Sequence, residues 1–179
     1  MKKLLAMALA LVMALGVTTM AWAAGNWTGS GTEADPYVIT TEAGLNDLAT
    51  NVNNGTVYSG KYFKLGASIT VTDWTPIGQK GTENKFAGTF DGNGQTVTIN
   101  RINSGLGSAF GGYAGFLGAV KDATIKNLTV DGTINGSDVA GVVARLDGAS
   151  KVINCINKAK VTGTSKAAGI TVKIDGANV

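Results

Sequence analysis

Ala114-Gly115-Phe116-Leu117, Ala140-Gly141-Val142-Val143 and Ala168-Gly169-Ile170-Thr171 open three successive units of this 179-residue chain. Gly115 and Gly141 are 26 residues apart, and Gly141 and Gly169 are 28 apart. Inside the units, Ile125-Lys126-Asn127-Leu128 aligns with Val152-Ile153-Asn154-Cys155 at an offset of 27, where Ile134 also meets Val161 and Gly136 meets Gly163. Asp147-Gly148-Ala149 recurs as Asp175-Gly176-Ala177. A repeat of this length marks a solenoid. Strands of four to six residues joined by Gly, Asn and Asp turns cannot bury their apolar side alone. Stacked, each pairs with its equivalent in the next unit and the alternating apolar residues meet inside. The reading is an all-β parallel β-helix. An antiparallel β-sandwich, also made of short strands with regular turns, is the alternative.

Working toward the N-terminus, short β-type runs lie at Tyr37–Thr40, Tyr62–Leu65, Ile69–Val71 and Thr96–Ile99, and further on at Ile125–Val130, Val139–Val143 and Lys151–Ile156. One segment breaks the pattern. Leu45, Leu48, Ala49 and Val52 form one apolar stripe of a helix. Thr40 or Thr41 caps its start, Glu42 suits its first turn, and Gly55 after Asn53-Asn54 stops it. This helix is expected to cover the open end of the first coil, since terminal repeats need a cap. Residues 24–85 thus read as an N-terminal cap and 86–179 as coils with repeats starting near 114, 140 and 168. The last unit stops about ten residues after Gly169, before its Asn-bearing strand. Such a coil leaves an unpaired strand edge, which predicts that the chain is the N-terminal part of something longer.

The alignment also assigns roles. Leu128 and Cys155 share an inward position, so Cys155 reads as a small buried hydrophobe rather than a reactive thiol. Asn127 and Asn154 share the neighbouring turn position, where their amides can hydrogen-bond from coil to coil.

Residues 1–23 read as a secretory signal peptide: Lys2-Lys3, the apolar run Leu4–Val17, then Ala21-Trp22-Ala23 with small residues at the positions a signal peptidase reads. A membrane anchor is the rival, but a span needs about 20 apolar residues and Thr18-Thr19 interrupt this run. After cleavage no hydrophobic span remains. The chain is then secreted or displayed at the cell surface.

Several residue motifs resemble those of a known family. The Ala-Gly-Phe-Leu-Gly and Ala-Gly-Val-Val starts, each followed by an Ile-x-Asn or Ile-Asn-Cys strand, resemble the GLUG repeat of bacterial surface proteins, found also beside the catalytic part of IgA-specific metallopeptidases. Phe86-Ala-Gly-Thr-Phe90-Asp91-Gly-Asn93-Gly94 resembles the strand and turn that open pectate-lyase-like β-helices. Trp27-x-Gly29-x-Gly31-Thr32, Asp35-Pro36-Tyr37-Val38-Ile39 and Gly60-Lys61-Tyr62-Phe63-Lys64-Leu65 resemble their N-terminal cap. The resemblance covers 25–179 and implies a right-handed coil in a surface protein. Val142-Val143-Ala144 and Ile170-Thr171-Val172 depart from the family's Gly-Leu-Val-Gly while keeping β-branched strands.

Composition removes whole classes of chemistry. With no His, the chain has no His-based general base, no His-containing zinc site and no Ser-His-Asp triad. One Cys makes no internal disulfide. The net charge is +3, or +1 (thirteen bases against twelve acids) without Lys2 and Lys3, which argues against nucleic acid as a partner. Asp91-Gly-Asn93-Gly94 is not an EF-hand, because the twelfth position is Ile102. Asp91, Asp122, Asp147 and Asp175 are weak calcium candidates beside a plainer turn-capping role. No acid pair shows the spacing of a glycosidase, whose carboxyls lie about 5–9.5 Å apart, and Arg101 and Arg145 are the only arginines. No cofactor is implied.

Sugar rings stack on aromatic faces that keep a polar edge. Trp27, Tyr37, Tyr58, Tyr62, Trp74 and Tyr113 have that chemistry; packing is expected for Trp27 and Trp74, and Tyr58 and Tyr113 are offered as glycan contacts. Lys151, Lys158, Lys160, Lys166 and Lys173 read as a solvated edge that discourages aggregation. The expectation is therefore a non-catalytic surface module for adhesion or structural presentation, with host or environmental glycans or surface proteins as partners. The N-terminal part of a carbohydrate-active or proteolytic enzyme is one alternative; end-to-end self-association is the other.

Overall fold

Short β-branched runs punctuated by residues in the left-handed backbone region can coil but cannot extend. A computed structural model of the chain describes residues 25–78, 83–102 and 112–176, and it shows that coil. The expected signal peptide, residues 1–23, lies outside the described residues.

Fourteen strands and one helix appear among those residues. They are β1 (Tyr37–Ile39), α1 (Glu42–Asn53), β2 (Tyr62–Leu65), β3 (Ile69–Val71), β4 (Thr89–Asp91), β5 (Thr96–Ile99) and β6 (Tyr113–Ala114). Then come β7 (Leu117–Lys121), β8 (Thr124–Lys126), β9 (Thr129–Ala140), β10 (Val143–Asp147), β11 (Lys151–Ile153), β12 (Ile156–Asn157), β13 (Lys160–Ala168) and β14 (Thr171–Asp175). Every strand pairs in parallel. The architecture is a parallel β-solenoid, not a sandwich. One face is the five-stranded sheet β1-β2-β4-β8-β11; a second runs β12-β9-β5-β3, with β6 and β13 also on β9; the third is β14-β10-β7. The stack begins inside 24–85, because β2 and β3 already pair in register with β4 and β5.

Register follows the repeat. Ile125 pairs with Val152 and Ile134 with Val161, both at an offset of 27. Between Gly163 and Lys166 the register shifts by one, so that Ala168 faces Ala140 at 28. One extra residue, accommodated as a bulge in β13, lengthens the period there. Inward residues such as Ile39, Phe63, Phe90, Ile125, Leu128 and Val130 form one continuous buried core.

Three expected strands are shorter than their patterns. Ile125–Val130 breaks into β8 and β9 at Asn127 (φ 53°), and Lys151–Ile156 breaks into β11 and β12 at Asn154 (φ 57°). Asn tolerates the left-handed region better than other non-Gly residues, so the apolar alternation continues around a corner instead of along a strand. Val139–Val143 breaks at Gly141, where a Cβ would collide with Asn157 Oδ1 and the Gly169 carbonyl.

The helix starts at Thr41, whose Oγ1 accepts from the Gly44 N–H at 3.2 Å. Leu45, Leu48, Ala49 and Val52 are buried, and α1 packs on β3, the outer strand of the second sheet. Glu42 Oε1 accepts the Thr72 N–H at 2.7 Å, and Asn53 Oδ1 accepts the Gly78 N–H at 2.9 Å. These bonds fasten the helix across that end of the solenoid.

Candidate functional site

The corner between the first two sheets carries a column of polar side chains. Asp91 Oδ1 accepts the Asn93 N–H at 2.8 Å, an Asx turn, and also Asn127 Nδ2 at 3.0 Å. Asn154 Nδ2 donates to Asn127 Oδ1 at 3.4 Å, a long bond at the outermost rung. Lys126 Nζ lies 3.4 Å from Asp91 Oδ2. Burial pushes the Asp91 carboxyl up, but the hydrogen bonds from Asn127 and the Asn93 N–H, with Lys126 alongside, outweigh it and hold the group below the usual carboxylate range.

A cleft of about 500 Å³ runs along this corner, lined by Asp91, Asn127, Leu128, Thr129, Asn154 and Cys155. Leu128 is buried. Cys155, in the same inward column one coil further on, is only half-buried, since none of the described residues stacks on it from the next coil. That corrects the expectation of a buried cysteine. Its thiol is pushed up chiefly by burial, which disfavours the reactive thiolate.

The rungs give a test of the corner. Asn127→Leu places a branched side chain in the left-handed region and removes the inter-coil bonds, an expected loss of roughly 2 kcal/mol. Asn127→Gly keeps the backbone conformation and should lose only about 1 kcal/mol. Urea unfolding compares the two, and equal losses would show that backbone conformation is irrelevant at this corner.

Asp122, Asp147 and Asp175 do lie along one edge. Asp147 and Asp175 are in register, and the Asp122 N–H donates to the Asp147 carbonyl at 3.2 Å. The counter-ions of Asp147 and Asp175 are side chains. Arg145 reaches Asp147 at 2.7 Å and Asp175 at 2.7 Å; Lys85 lies 3.1 Å from Asp147, and Lys173 lies 3.1 Å from Asp175. Asp122 Oδ1 accepts the Ala149 N–H at 2.8 Å and so closes a turn between coils. Among the described residues no group of three or more His, Cys, Asp or Glu could hold a metal ion. The Lys85–Asp147 pair is the part that sequence reasoning missed, since the partners lie 62 positions apart in no motif.

The glycan-contact assignment of Tyr58 and Tyr113 is corrected. They are 2% and 4% exposed. The Tyr58 ring packs edge-on to Phe63 at 4.9 Å within a cluster containing Trp27, Tyr37 and Phe86, and its hydroxyl accepts Asn51 Nδ2 at 3.1 Å. Tyr113 is covered by Ala140 and Ala144. Neither offers a face to a sugar. Trp74 is fully buried and Trp27 half-buried.

No protein-family model and no solved structure matches the chain. Curated proteins similar to it include halomucin of Haloquadratum walsbyi, 30% identical over 157 residues, which cover 82% of this chain and 2% of that protein. Another is the "Putative Gly-rich membrane protein" of Evansella cellulosilytica, 32% identical over 124 residues, covering 61% of this chain and 13% of that protein. The chain therefore spans only a small part of either relative. Among the described residues no helix is long and apolar enough to cross a membrane.

Proposed function

We propose that this chain is a non-catalytic β-solenoid module, exported through its leader and displayed at or released from the cell surface, with presentation or adhesion as its role. The carrying observation is the parallel stack, in register apart from one single-residue shift in β13. It sets Thr96 beside Thr129 and Thr98 beside Asp131 on one face, a polar surface that repeats along a stiff support. The acids of the solenoid edge are bonded to arginine, lysine or backbone N–H groups, and an acid so engaged is not poised for proton transfer. A relative named as a membrane protein accords with a surface location. The GLUG-like strand starts favour the same setting and a right-handed, pectate-lyase-like coil.

The test is binding of the purified chain to a glycan array and to cells, with release of sugar or peptide followed in parallel. Retention without product is the expected result. Product release would overturn the reading in favour of an enzyme.

A further inference from the structure

The outward residues of the first two sheets differ in kind. On the first, Tyr62, Thr89, Thr124 and Lys151 stand in one column and Lys64, Asp91, Lys126 and Ile153 in the next. On the second, Thr70, Thr98 and Asp131 form one column, and Thr96 pairs with Thr129 in the other. Ser68 extends that other column, since its Oγ accepts the Thr96 N–H at 3.1 Å. The residues between, Ile69, Val97 and Val130, are buried, so alternation turns all six polar side chains outward. Ser68 and Thr70 are exposed and the other four partly so. Among the described residues no hydrogen bond occupies the hydroxyl of Thr70, Thr96, Thr98 or Thr129.

Strand preference alone would scatter threonine over both faces, yet the first face also takes Tyr, Lys, Asp and Ile. The second keeps five short hydroxyl side chains and one charge. Threonine is stiff about χ1, and β5 is hydrogen-bonded to β3 on one side and β9 on the other. Hydroxyls and methyls are thereby held on a grid, about 4.7–4.9 Å from strand to strand and about 6.7 Å between successive outward residues.

The grid excludes most ligands. A small molecule needs a concave site, and the corner cleft reaches Thr129 but not Ser68, Thr70, Thr96 or Thr98. A sugar ring needs an aromatic face, and none of the six is aromatic. A charged polymer finds only Asp131, whose Oδ1 already accepts the Gly132 N–H at 2.7 Å. What remains is a ligand that is itself a lattice. The surface of ice repeats hydrogen-bonding oxygens at comparable spacings, and a hydroxyl both donates and accepts as those oxygens do. A rigid grid meets that surface with little side-chain freedom left to lose.

We propose, resting on the reading of this face as a presenting surface, that it binds ice through a grid centred on Thr96 and Thr98. Asp131 interrupts the grid and weakens the contact.

The test is slow growth of ice from a solution of the purified chain, with the share of protein carried into the ice measured. Wild type should enter the ice well above a non-binding protein of similar size. Thr98→Lys puts a long charged side chain at the centre of the grid and should lower that share roughly tenfold. Thr124→Lys makes the same change on the first face and should leave the share unaltered. Asp131→Thr completes the grid and should raise it about threefold, the worth of one net hydrogen bond. Circular dichroism checks that each variant is folded. A wild-type share no higher than that of the non-binding protein would overturn the proposal, and so would equal losses from Thr98→Lys and Thr124→Lys. Retention on glycans without entry into ice would leave the adhesive role standing and sink ice as the ligand.

Discussion

Trp74→Ala should cost about 3–5 kcal/mol, the range for removing a fully buried aromatic side chain. Trp74 is completely buried, stacks on Phe116 with ring centroids 5.5 Å apart and planes 14° apart, and donates its Nε1–H to the Phe116 carbonyl at 2.9 Å. The pair ties the segment after β3 to the strand start at Gly115-Phe116, 42 residues later. Alanine leaves a cavity and removes one of two donors to the Phe116 carbonyl, which keeps the Ile77 N–H at 3.3 Å. Trp74→Phe separates them: most apolar burial survives, and loss of the indole hydrogen bond alone should cost about 0.5–1.5 kcal/mol. Urea unfolding followed by circular dichroism measures both. An alanine loss below about 1.5 kcal/mol would mean that the two coils do not depend on this contact.

Asp147→Ala should cost about 3 kcal/mol, because it leaves the largely buried Lys85 without its carboxylate and Arg145 with Asp175 alone. The side chains of Lys85 and Arg145 are 14% and 22% exposed, and both bond to Asp147. Adding Lys85→Met to Asp147→Ala should recover part of the loss, since the apolar stem then no longer carries an unpaired charge. No recovery would show that Asp147 matters for reasons other than those charges. Burial raises the Asp147 carboxyl, yet hydrogen bonds from Arg145 and Lys85 outweigh it and hold the folded value below the ordinary one. A depressed folded value contributes stability that is present above the ordinary carboxylate pKa, about 3.9, and is lost as pH falls through the folded value. Wild type should therefore weaken in acid more than the Asp147→Ala chain does.

The parts of the fold legible in the sequence are those set by local chemistry. Tyr62–Leu65, Ile69–Val71 and Thr96–Ile99 have the bounds that their alternation gives, and α1 begins at Thr41 because a hydroxyl and a stripe of Leu45, Leu48 and Val52 suffice to specify it. The corners were less legible. Ile-Lys-Asn-Leu-Thr-Val reads as one strand by alternation, and only the left-handed conformation of Asn127 turns it onto a second face. Burial of Tyr58 and Tyr113 depends on which side of a turn faces the core, and their polar edges carry no such information. The Lys85–Asp147–Arg145–Asp175 cluster is set by which coil stacks on which, so no spacing within one coil announces it.

The hydrogen bonds between coils run along the long axis of the solenoid, while the covalent backbone of each strand runs across it. A sideways load on a face is thus borne by peptide bonds in several strands at once. A pull that separates one coil from the next meets a different resistance: β14 leaves β10 and β13 leaves β9 a few hydrogen bonds at a time. The rod is mechanically anisotropic, stiff against sideways load and weak against peeling of coil from coil.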